Sequence, residues 1–238
     1  MSDARFREDA YLRDLSATVT GHTAEGGIVL DRTIFYPTGG GQPGDSGHLV
    51  WDGHRLEIAT TVKGASGESV LVPAAPEALP QVGVKLMQHL DWERRHRHMR
   101  VHTALHLLSV VLPLPVTGGQ IGAEKGRLDF MMPEPPEDRE AVEAALNALV
   151  AADLPVSETW ISQAELDGTP ELVKTMSVSP PRSGGLIRLV QIGAGADRVD
   201  LQPCGGTHVA RTGEIGGLRL GKIENKGKQN RRVNLHLI

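Results

Sequence analysis

The sequence predicts an α+β protein, in which a small N-terminal β-barrel is followed by an α/β domain where helices pack on a sheet. Three observations lead to this class. The first ninety residues contain short strand-like runs and turns without convincing helical periodicity; a long helical segment then begins at Asp91; and strands alternate with a second helix after it. We therefore place a domain boundary near residue 90, which divides the chain into 1–90 and 91–238.

Short strands separated by turns account for residues 1–90. The dipeptide Asp52-Gly53 lies between two of them and is a strong signal for a two-residue hairpin turn. Strands of this length bury their apolar faces by curling into a closed or half-open barrel. The runs that we expect to form strands are Gly27–Tyr36, His48–Trp51, His54–Ile58, Ser69–Val72 and Val82–Leu90.

Two helices and six strands are predicted after residue 90. Asp91 is an N-cap candidate for a helix that ends before Pro113, and apolar residues such as Leu105 and Leu108 suit one face of it. A second helix runs from about Pro136 to Ala152. The expected strands are Val116–Ile121, Arg127–Met132, Val156–Ile161, Leu186–Ile192, Leu218–Glu224 and Arg232–Ile238.

The composition argues against several classes of protein. A net charge of −4 and an aromatic content of 3% do not suit a protein that coats nucleic acid non-specifically or stacks many bases. The single cysteine, Cys204, has no partner for an intramolecular disulfide, and we see neither a secretory leader nor the ~20 apolar residues of a membrane span. We therefore expect a cytoplasmic protein with a reduced thiol.

Two pairs of candidate metal ligands stand about a hundred residues apart in the sequence. The first, His102-Thr-Ala-Leu-His106, falls in the predicted helix, where positions i and i+4 share one face. The second, Cys204-Gly-Gly-Thr-His208, has two glycines that suit a tight loop. Three imidazoles and one thiolate form a donor set that zinc accepts in tetrahedral sites. The sequence therefore predicts one Zn²⁺ per chain, bound by His102, His106, Cys204 and His208.

The sequence leaves the role of this metal open. Four protein ligands close a zinc shell, which is typical of structural sites, although structural sites more often use several cysteines in short knuckles. The glycines of the second pair would let a substrate approach the backbone closely. Thr103 stands where HExxH metallopeptidases carry their glutamate, so that general base is absent.

Together with a glycine-rich segment, these residues resemble the editing module of alanyl-tRNA synthetases and its freestanding relatives, the AlaX proteins. The matching segments occur in the family's order over residues 35–232, and the length resembles the medium-length AlaX form. The combination is specific, although no single segment is. The four segments are Phe35-Tyr-Pro-Thr-Gly-Gly-Gly-Gln-Pro-Gly-Asp45, Met99-Arg-Val-His-Thr-Ala-Leu-His-Leu-Leu108, Cys204-Gly-Gly-Thr-His208 and Ile223-Glu-Asn-Lys-Gly-Lys-Gln-Asn-Arg-Arg232.

This resemblance implies hydrolysis of mischarged tRNA(Ala) in trans, chiefly seryl-tRNA(Ala) and also glycyl-tRNA(Ala). It implies the same four zinc ligands and a fold in which a small β-barrel precedes an α/β editing domain of the threonyl/alanyl-tRNA synthetase type. The metal would either activate a water molecule or anchor the substrate's amino group, and both roles stay open at this point.

Selection of serine over alanine requires recognition of a single hydroxyl group. Thr103, beside the first ligand, is one candidate, unless it bonds backward to the preceding helical turn. Gln120 lies where the family's editing domain places a polar residue near the substrate, unless it merely packs at a strand edge. We predict these two as catalytic residues. Thr207 is a candidate either for substrate contact or for a hydrogen bond that orients a ligand.

The resemblance also indicates that the glycine-rich loop lies against the editing pocket. Its residues that would contact the substrate or the tRNA are Gly40, Gly41, Gln42 and Asp45.

Two basic segments are candidates for holding tRNA phosphates. The last predicted hairpin carries five basic residues and one acid in a chain that is acidic elsewhere, which favours tRNA contact. A solvated surface explains the first segment equally well. The basic residues of the hairpin are Lys222, Lys226, Lys228, Arg231 and Arg232, and those before the metal helix are Arg94, Arg95, Arg97 and Arg100.

Two other functions stay open on the sequence alone. One is a non-catalytic tRNA-binding module with a structural zinc, and the other is a zinc hydrolase or lyase of a small metabolite. The basic hairpin argues against the second, because a metabolite enzyme has no need of it.

Overall fold

The computed structural model describes residues 2–174, 182–183 and 185–238, and the chain divides into two compact units, Met1–His96 and Arg97–Ile238. The division therefore lies a few residues after position 90, inside the first long helix. Among the described residues, no helix combines the length and the apolar character that crossing a membrane requires.

The first unit is built around a closed six-stranded barrel. Its strand order is β2-β3-β7-β6-β5-β8, and antiparallel pairing of β8 with β2 closes it. The two shortest strands, β1 and β4, pair with each other in parallel outside the barrel. The strands are β1 (Asp3–Ala4), β2 (Asp14–His22), β3 (Ile28–Leu30), β4 (Arg32–Thr33), β5 (Gly47–Trp51), β6 (His54–Lys63), β7 (Ser69–Pro73) and β8 (Lys85–Leu90).

Alternating strand residues fill the barrel interior with aliphatic side chains and Phe35. The hairpin between β5 and β6 turns at Asp52 and Gly53, whose φ angles of 43° and 78° suit the tight turn that the sequence predicts. The prediction of a single strand over Gly27–Tyr36 was wrong. Two short strands, β3 and β4, form instead, and they are separated at Asp31, whose carboxylate accepts a hydrogen bond from the backbone N–H of Thr18. Strand β2 was missed: only Ala17 and Val19 are fully buried in it, so its apolar alternation is weak.

In the part of the second unit that the structure describes, three helices combine with two antiparallel sheets. One sheet has the order β15-β16-β10-β9; in the other, β13 pairs with β11, β12 and β14. The elements are α1 (Trp92–Val111, which begins before the division between the units), β9 (Val116–Ile121), β10 (Lys125–Met131), α2 (Arg139–Ala151), β11 (Val156–Ser162), α3 (Gln163–Asp167), β12 (Arg182–Ser183), β13 (Leu186–Ile192), β14 (Asp200–Pro203), β15 (Leu218–Asn225) and β16 (Asn230–Leu237).

Side-chain caps set where the two long helices begin. The carboxylate of Asp91 accepts the backbone N–H of Arg94, as the sequence predicts for an N-cap. For α2 the cap is Asp138, which accepts the N–H of Ala141, so the helix begins three residues after the predicted start at Pro136. The short elements α3 and β14 were not predicted.

Helix α1 is buried on every side between residues 101 and 109, not only along the predicted apolar face. It lies close to β10 at Gly126, where an added Cβ would come within 2.6 Å of Val101 and 3.0 Å of Leu105. A side chain at position 126 would collide with the helix, which explains why a glycine stands there. The absence of a side chain lets β10 pack closely against the helix that carries the two predicted histidine ligands.

Candidate metal centre

Helix α1 and the loop after β14 bring the four predicted ligands together. His102 and His106 lie one turn apart on α1, while Cys204 and His208 stand at the two ends of the Cys-Gly-Gly-Thr-His loop. One ligand atom from each of the four residues lies within 4.8 Å of the others. The Sγ atom of Cys204 is 3.5 Å from Nε2 of His102 and 3.3 Å from Nε2 of His208.

The two distances from the sulfur of Cys204 fit a tetrahedral metal site. With Zn–N bonds of about 2.05 Å and a Zn–S bond of about 2.3 Å, neighbouring ligand atoms in a tetrahedron are about 3.3–3.6 Å apart. The three histidines are almost fully buried and Cys204 is half-buried, so the donor set is shielded from water. The four residues can therefore hold one metal ion of the size and preference of zinc.

The electrostatics of the cluster favour a thiolate. Burial raises the pKa of the Cys204 thiol, but the imidazoles of His102 and His208 outweigh it and hold the pKa well below its usual value. Burial, helped by His102, also lowers the pKa of His208 well below its usual range. Burial opposes the charged form of His106 too, yet hydrogen bonds to Asp200 and Cys204 raise its pKa to about 9. A thiolate and neutral imidazoles are the forms that bind zinc, so a metal would displace the proton of His106.

Thr103 supports a ligand of this cluster. Its side chain is fully buried, and Oγ1 lies 3.1 Å from Nδ1 of His208 while accepting the backbone N–H of Val209 at 3.3 Å. The hydroxyl therefore holds the His208 ring, and no backward bond to its own helix is seen. Thr207 is also fully buried, within the loop between the two ligands. Contact of either threonine with a substrate stays a prediction.

Gln120 lies on the exposed part of β9, opposite Arg127 on β10. Its side-chain oxygen accepts a hydrogen bond from Nε of Arg127 at 3.2 Å. Its predicted role at the substrate is not tested by this contact and stays a prediction.

A buried arginine that the sequence analysis missed holds the ligand loop. Arg188 on β13 donates through one guanidinium nitrogen to the carbonyls of Cys204 at 2.8 Å and Gly206 at 3.0 Å. Its other terminal nitrogen forms an ion pair with Glu158 on β11. The available signal was a single charged residue in the strand run Leu186–Ile192, in which every other residue except Gln191 is apolar. A carboxylate behind His106, that of Asp200, was missed as well.

The glycine-rich segment of the first unit forms a tight turn. Gly40 and Gly41 are exposed at its tip with φ angles of 57° and 82°, and the side chain of Gln42 is fully buried. Asp45 is buried too, where its carboxylate pairs with the guanidinium of Arg95 and accepts the N–H of Tyr36. Substrate contact by the two glycines, Gln42 and Asp45 stays a prediction.

The basic residues differ in their exposure and in their hydrogen-bond partners. Arg95 is fully buried, so its predicted place in a phosphate-binding surface was wrong. Arg231 donates to the backbone of its own hairpin and to the carbonyl of Pro133, and Arg232 forms a two-point ion pair with Asp129. Lys226 and Lys228 are exposed at the turn between β15 and β16. Contact of the four hairpin residues Lys226, Lys228, Arg231 and Arg232 with tRNA stays a prediction.

Two family models match the chain. Residues 187–234 match the family described as "Threonyl and Alanyl tRNA synthetase second additional domain", and these residues include the Cys–His loop and most of the last hairpin. Residues 11–94 match the family described as "tRNA synthetases class II (A)".

Curated relatives are similar over 92–100% of the chain. An alanyl-tRNA editing protein AlaX-M of Methanosarcina mazei is 34% identical over 248 aligned residues, which cover 100% of this chain and 97% of the relative. An AlaX-L protein of Pyrococcus horikoshii is 32% identical, and the match covers 98% of this chain and 57% of that protein. An alanine–tRNA ligase of Pyrobaculum arsenaticum is 36% identical across 92% of this chain but only 25% of its own length.

Proposed function

Because the chain belongs to the AlaX family of alanyl-tRNA editing proteins, we propose that it hydrolyses the ester bond of tRNA(Ala) mischarged with serine or glycine, in trans and with one zinc ion. Deacylation of mischarged tRNA is a hydrolase activity, and it makes this protein an enzyme of protein biosynthesis. The observation that carries the proposal is the convergence of four metal-binding side chains within 4.8 Å, in a chain that is similar to AlaX-M proteins from end to end. We also propose a cytoplasmic location, where aminoacylated tRNA is used.

The zinc ion would be held by His102, His106, Cys204 and His208. When bound, it would supply a Lewis acid that either activates water or anchors the substrate's amino group, and either role would require a coordination position beyond the four side chains or the release of one of them. The protein contributes a rigid, largely buried frame: Thr103 holds the ring of His208, and Arg188 holds the carbonyls of the ligand loop. A frame of this kind positions the ester without reorganisation during the reaction.

Discrimination against alanyl-tRNA(Ala) would depend on one hydroxyl group of the seryl moiety. A buried polar site that bonds this hydroxyl is left unsatisfied by alanine, which is the kind of penalty that gives strong selectivity. Thr103, Gln120 and Thr207 are the residues that we propose for this role. Of these, Thr103 is supported best, because its hydroxyl lies 3.1 Å from Nδ1 of His208, next to the proposed ligands.

Binding of the tRNA would use the exposed lysines of the last hairpin. Lys228 and Lys226, which pairs with Glu224 at 3.2 Å, are exposed and would contact phosphates. Arg231 and Arg232 belong to the same proposed surface, and their hydrogen bonds also hold the conformation of the hairpin. Gly40, Gly41, Gln42 and Asp45 complete the proposed set in the first unit. The exposed backbone at Gly40 and Gly41 allows a close approach that a larger residue would block.

Deacylation assays test this function. Purified protein is incubated with Ser-, Gly- and Ala-tRNA(Ala), with and without a metal chelator, and the remaining aminoacyl-tRNA is measured over time. We expect rapid loss of the Ser or Gly ester, slow loss of the Ala ester, and inhibition by the chelator. Equal rates on all three esters, or turnover that the chelator does not affect, would contradict the proposal.

His106→Ala provides the mutational arm of this test, and His54→Ala, an exposed histidine in the β5–β6 hairpin, is its matched control. We expect the first variant to lose zinc and deacylation with its fold retained, and the second to keep both. Global unfolding of His106→Ala together with full activity of any folded remainder would instead support a structural zinc.

A further inference from the structure

A buried carboxylate stands directly behind the proposed metal centre. Asp200 begins β14, four residues before Cys204, and only 3% of its surface is exposed. Its Oδ2 atom lies 2.9 Å from Nδ1 of His106 and accepts the side-chain amide of Gln202 at 2.7 Å. Its Oδ1 atom accepts Nζ of Lys174 at 2.5 Å. Both oxygens are therefore engaged, one toward the ligand and one toward a cation.

The hydrogen-bond pattern determines which nitrogen of His106 carries a proton. A carboxylate only accepts, so Nδ1 of His106 must donate to Asp200. The amide nitrogen of Gln202 also lies 3.1 Å from Nδ1, but its two hydrogens have acceptors in Asp200 and in Oγ of Ser109 at 3.3 Å. Ser109 in turn donates to the carbonyl of His106. With Nδ1 protonated, Nε2 is the nitrogen that can give up its proton and offer a lone pair to a metal.

We propose that Asp200 is a positioning residue of the metal centre: it fixes His106 as an Nε2 ligand, and its negative charge strengthens that nitrogen as a donor to the metal. This inference rests on the proposed function, because it requires that the cluster binds a metal. A carboxylate that accepts from the distal nitrogen of a metal-bound histidine orients the ring and raises its basicity, and loss of such a partner lowers metal affinity about 10–100-fold.

Lys174 moderates this effect rather than causing it. Its ammonium group forms an ion pair with Oδ1 of Asp200 and partly neutralises the negative charge of the carboxylate that would otherwise act on His106. Removing the cation would therefore leave the Asp200–His106 hydrogen bond in place and give the carboxylate more influence on the ring. A purely structural ion pair behaves differently, since removal of either partner would then loosen the site.

The opposite effects of two variants test the proposal. Asp200→Asn keeps the shape and removes the charge, and we expect its Zn²⁺ affinity to fall about 10–100-fold. Lys174→Met removes the cation, and we expect a Zn²⁺ affinity equal to or higher than that of the wild-type protein. Affinity is measured by competition with a chromophoric chelator, the fold of each metal-free variant by circular dichroism, and the ligand geometry by the visible absorption of the Co²⁺-loaded proteins.

The outcomes separate this inference from the proposed function. If the wild-type protein binds no Zn²⁺, the proposed metal site fails; if it binds Zn²⁺ and Asp200→Asn binds equally well, or both variants lose affinity alike, the positioning role fails. Should either variant not fold, ¹⁵N-resolved NMR of the histidine rings in the zinc-loaded wild-type protein decides. A proton on Nδ1 of His106 supports the role of Asp200, and a proton on Nε2 overturns it.

Discussion

Replacing Arg95 by methionine tests whether the buried ion pair with Asp45 serves the fold or the substrate. Both side chains are at most 1% exposed, and Nε of Arg95 bonds both carboxylate oxygens at 3.1 and 3.0 Å. The same guanidinium donates to the carbonyls of Ala10 and Ile34. The variant would therefore leave one buried carboxylate and two carbonyls without these donors.

Breaking a buried pair by removing one partner costs about 3–5 kcal/mol, because the remaining charge is uncompensated. In urea, with a slope of about 2 kcal/mol per molar, the unfolding midpoint should fall by roughly 1.5–2.5 M. The double variant Asp45→Asn/Arg95→Met removes both charges and should regain most of this loss. The remaining deficit, about 1–2 kcal/mol, comes from the two carbonyls.

The assay is equilibrium unfolding in urea, followed by circular dichroism, together with deacylation of Ser-tRNA(Ala) at equal concentrations of folded protein. If Asp45 only supports the barrel, the double variant recovers activity along with stability. If Asp45 contacts the substrate, stability returns and activity does not. A loss below about 1 kcal/mol in the single variant would refute the reasoning, since it would mean that the pair is hydrated.

Two further predictions concern the second unit. Arg188→Met removes the donors that hold the carbonyls of Cys204 and Gly206. We therefore expect the free energy of unfolding, measured in urea, to fall by about 2–4 kcal/mol, and the Zn²⁺ affinity, measured by chelator competition, to fall with it. An unchanged Zn²⁺ affinity would contradict the role of Arg188 in the loop. For Asp129, burial raises the pKa, but the hydrogen bonds from Arg232 outweigh it and lower the pKa below its ordinary value of about 3.9. A depressed pKa stabilises the folded state at pH values above the ordinary pKa of the group, and this contribution disappears as the pH falls through the pKa of the folded state. The stability difference between the wild-type protein and Asp129→Asn should therefore shrink from pH 6 down to about pH 3; a constant difference over that range of urea titrations would rule the effect out.

Local signals in the sequence determined much of the fold. The Asp52-Gly53 turn, the N-cap at Asp91 and the strand Val116–Ile121 follow from residue types within a few positions of one another, and the structure confirms each of them. The sequence also predicted that the two histidines of α1 and the Cys–His loop would meet. Each pair is recognised from residue types within five positions, and together the two pairs form a donor set that one zinc ion accepts. The structure brings all four ligand atoms together.

Tertiary structure alone decided several features of the first unit. Strand β2 has little apolar alternation, so its place depends on pairing with β3 and β8, which closes the barrel. Arg95 and Asp45 stand 50 positions apart in sequence, and nothing local to either indicates that both are buried.

The same limit applies around the proposed metal centre of the second unit. The carboxylate of Asp200 meets His106 across 94 positions, and Arg188 reaches the ligand loop from the neighbouring strand. A buried charge is tolerated only where the completed fold supplies its partner, so its identity is a property of the assembled chain. The sequence by itself therefore determined which residues can bind the metal, and only the packed structure decided which residues hold those ligands in place.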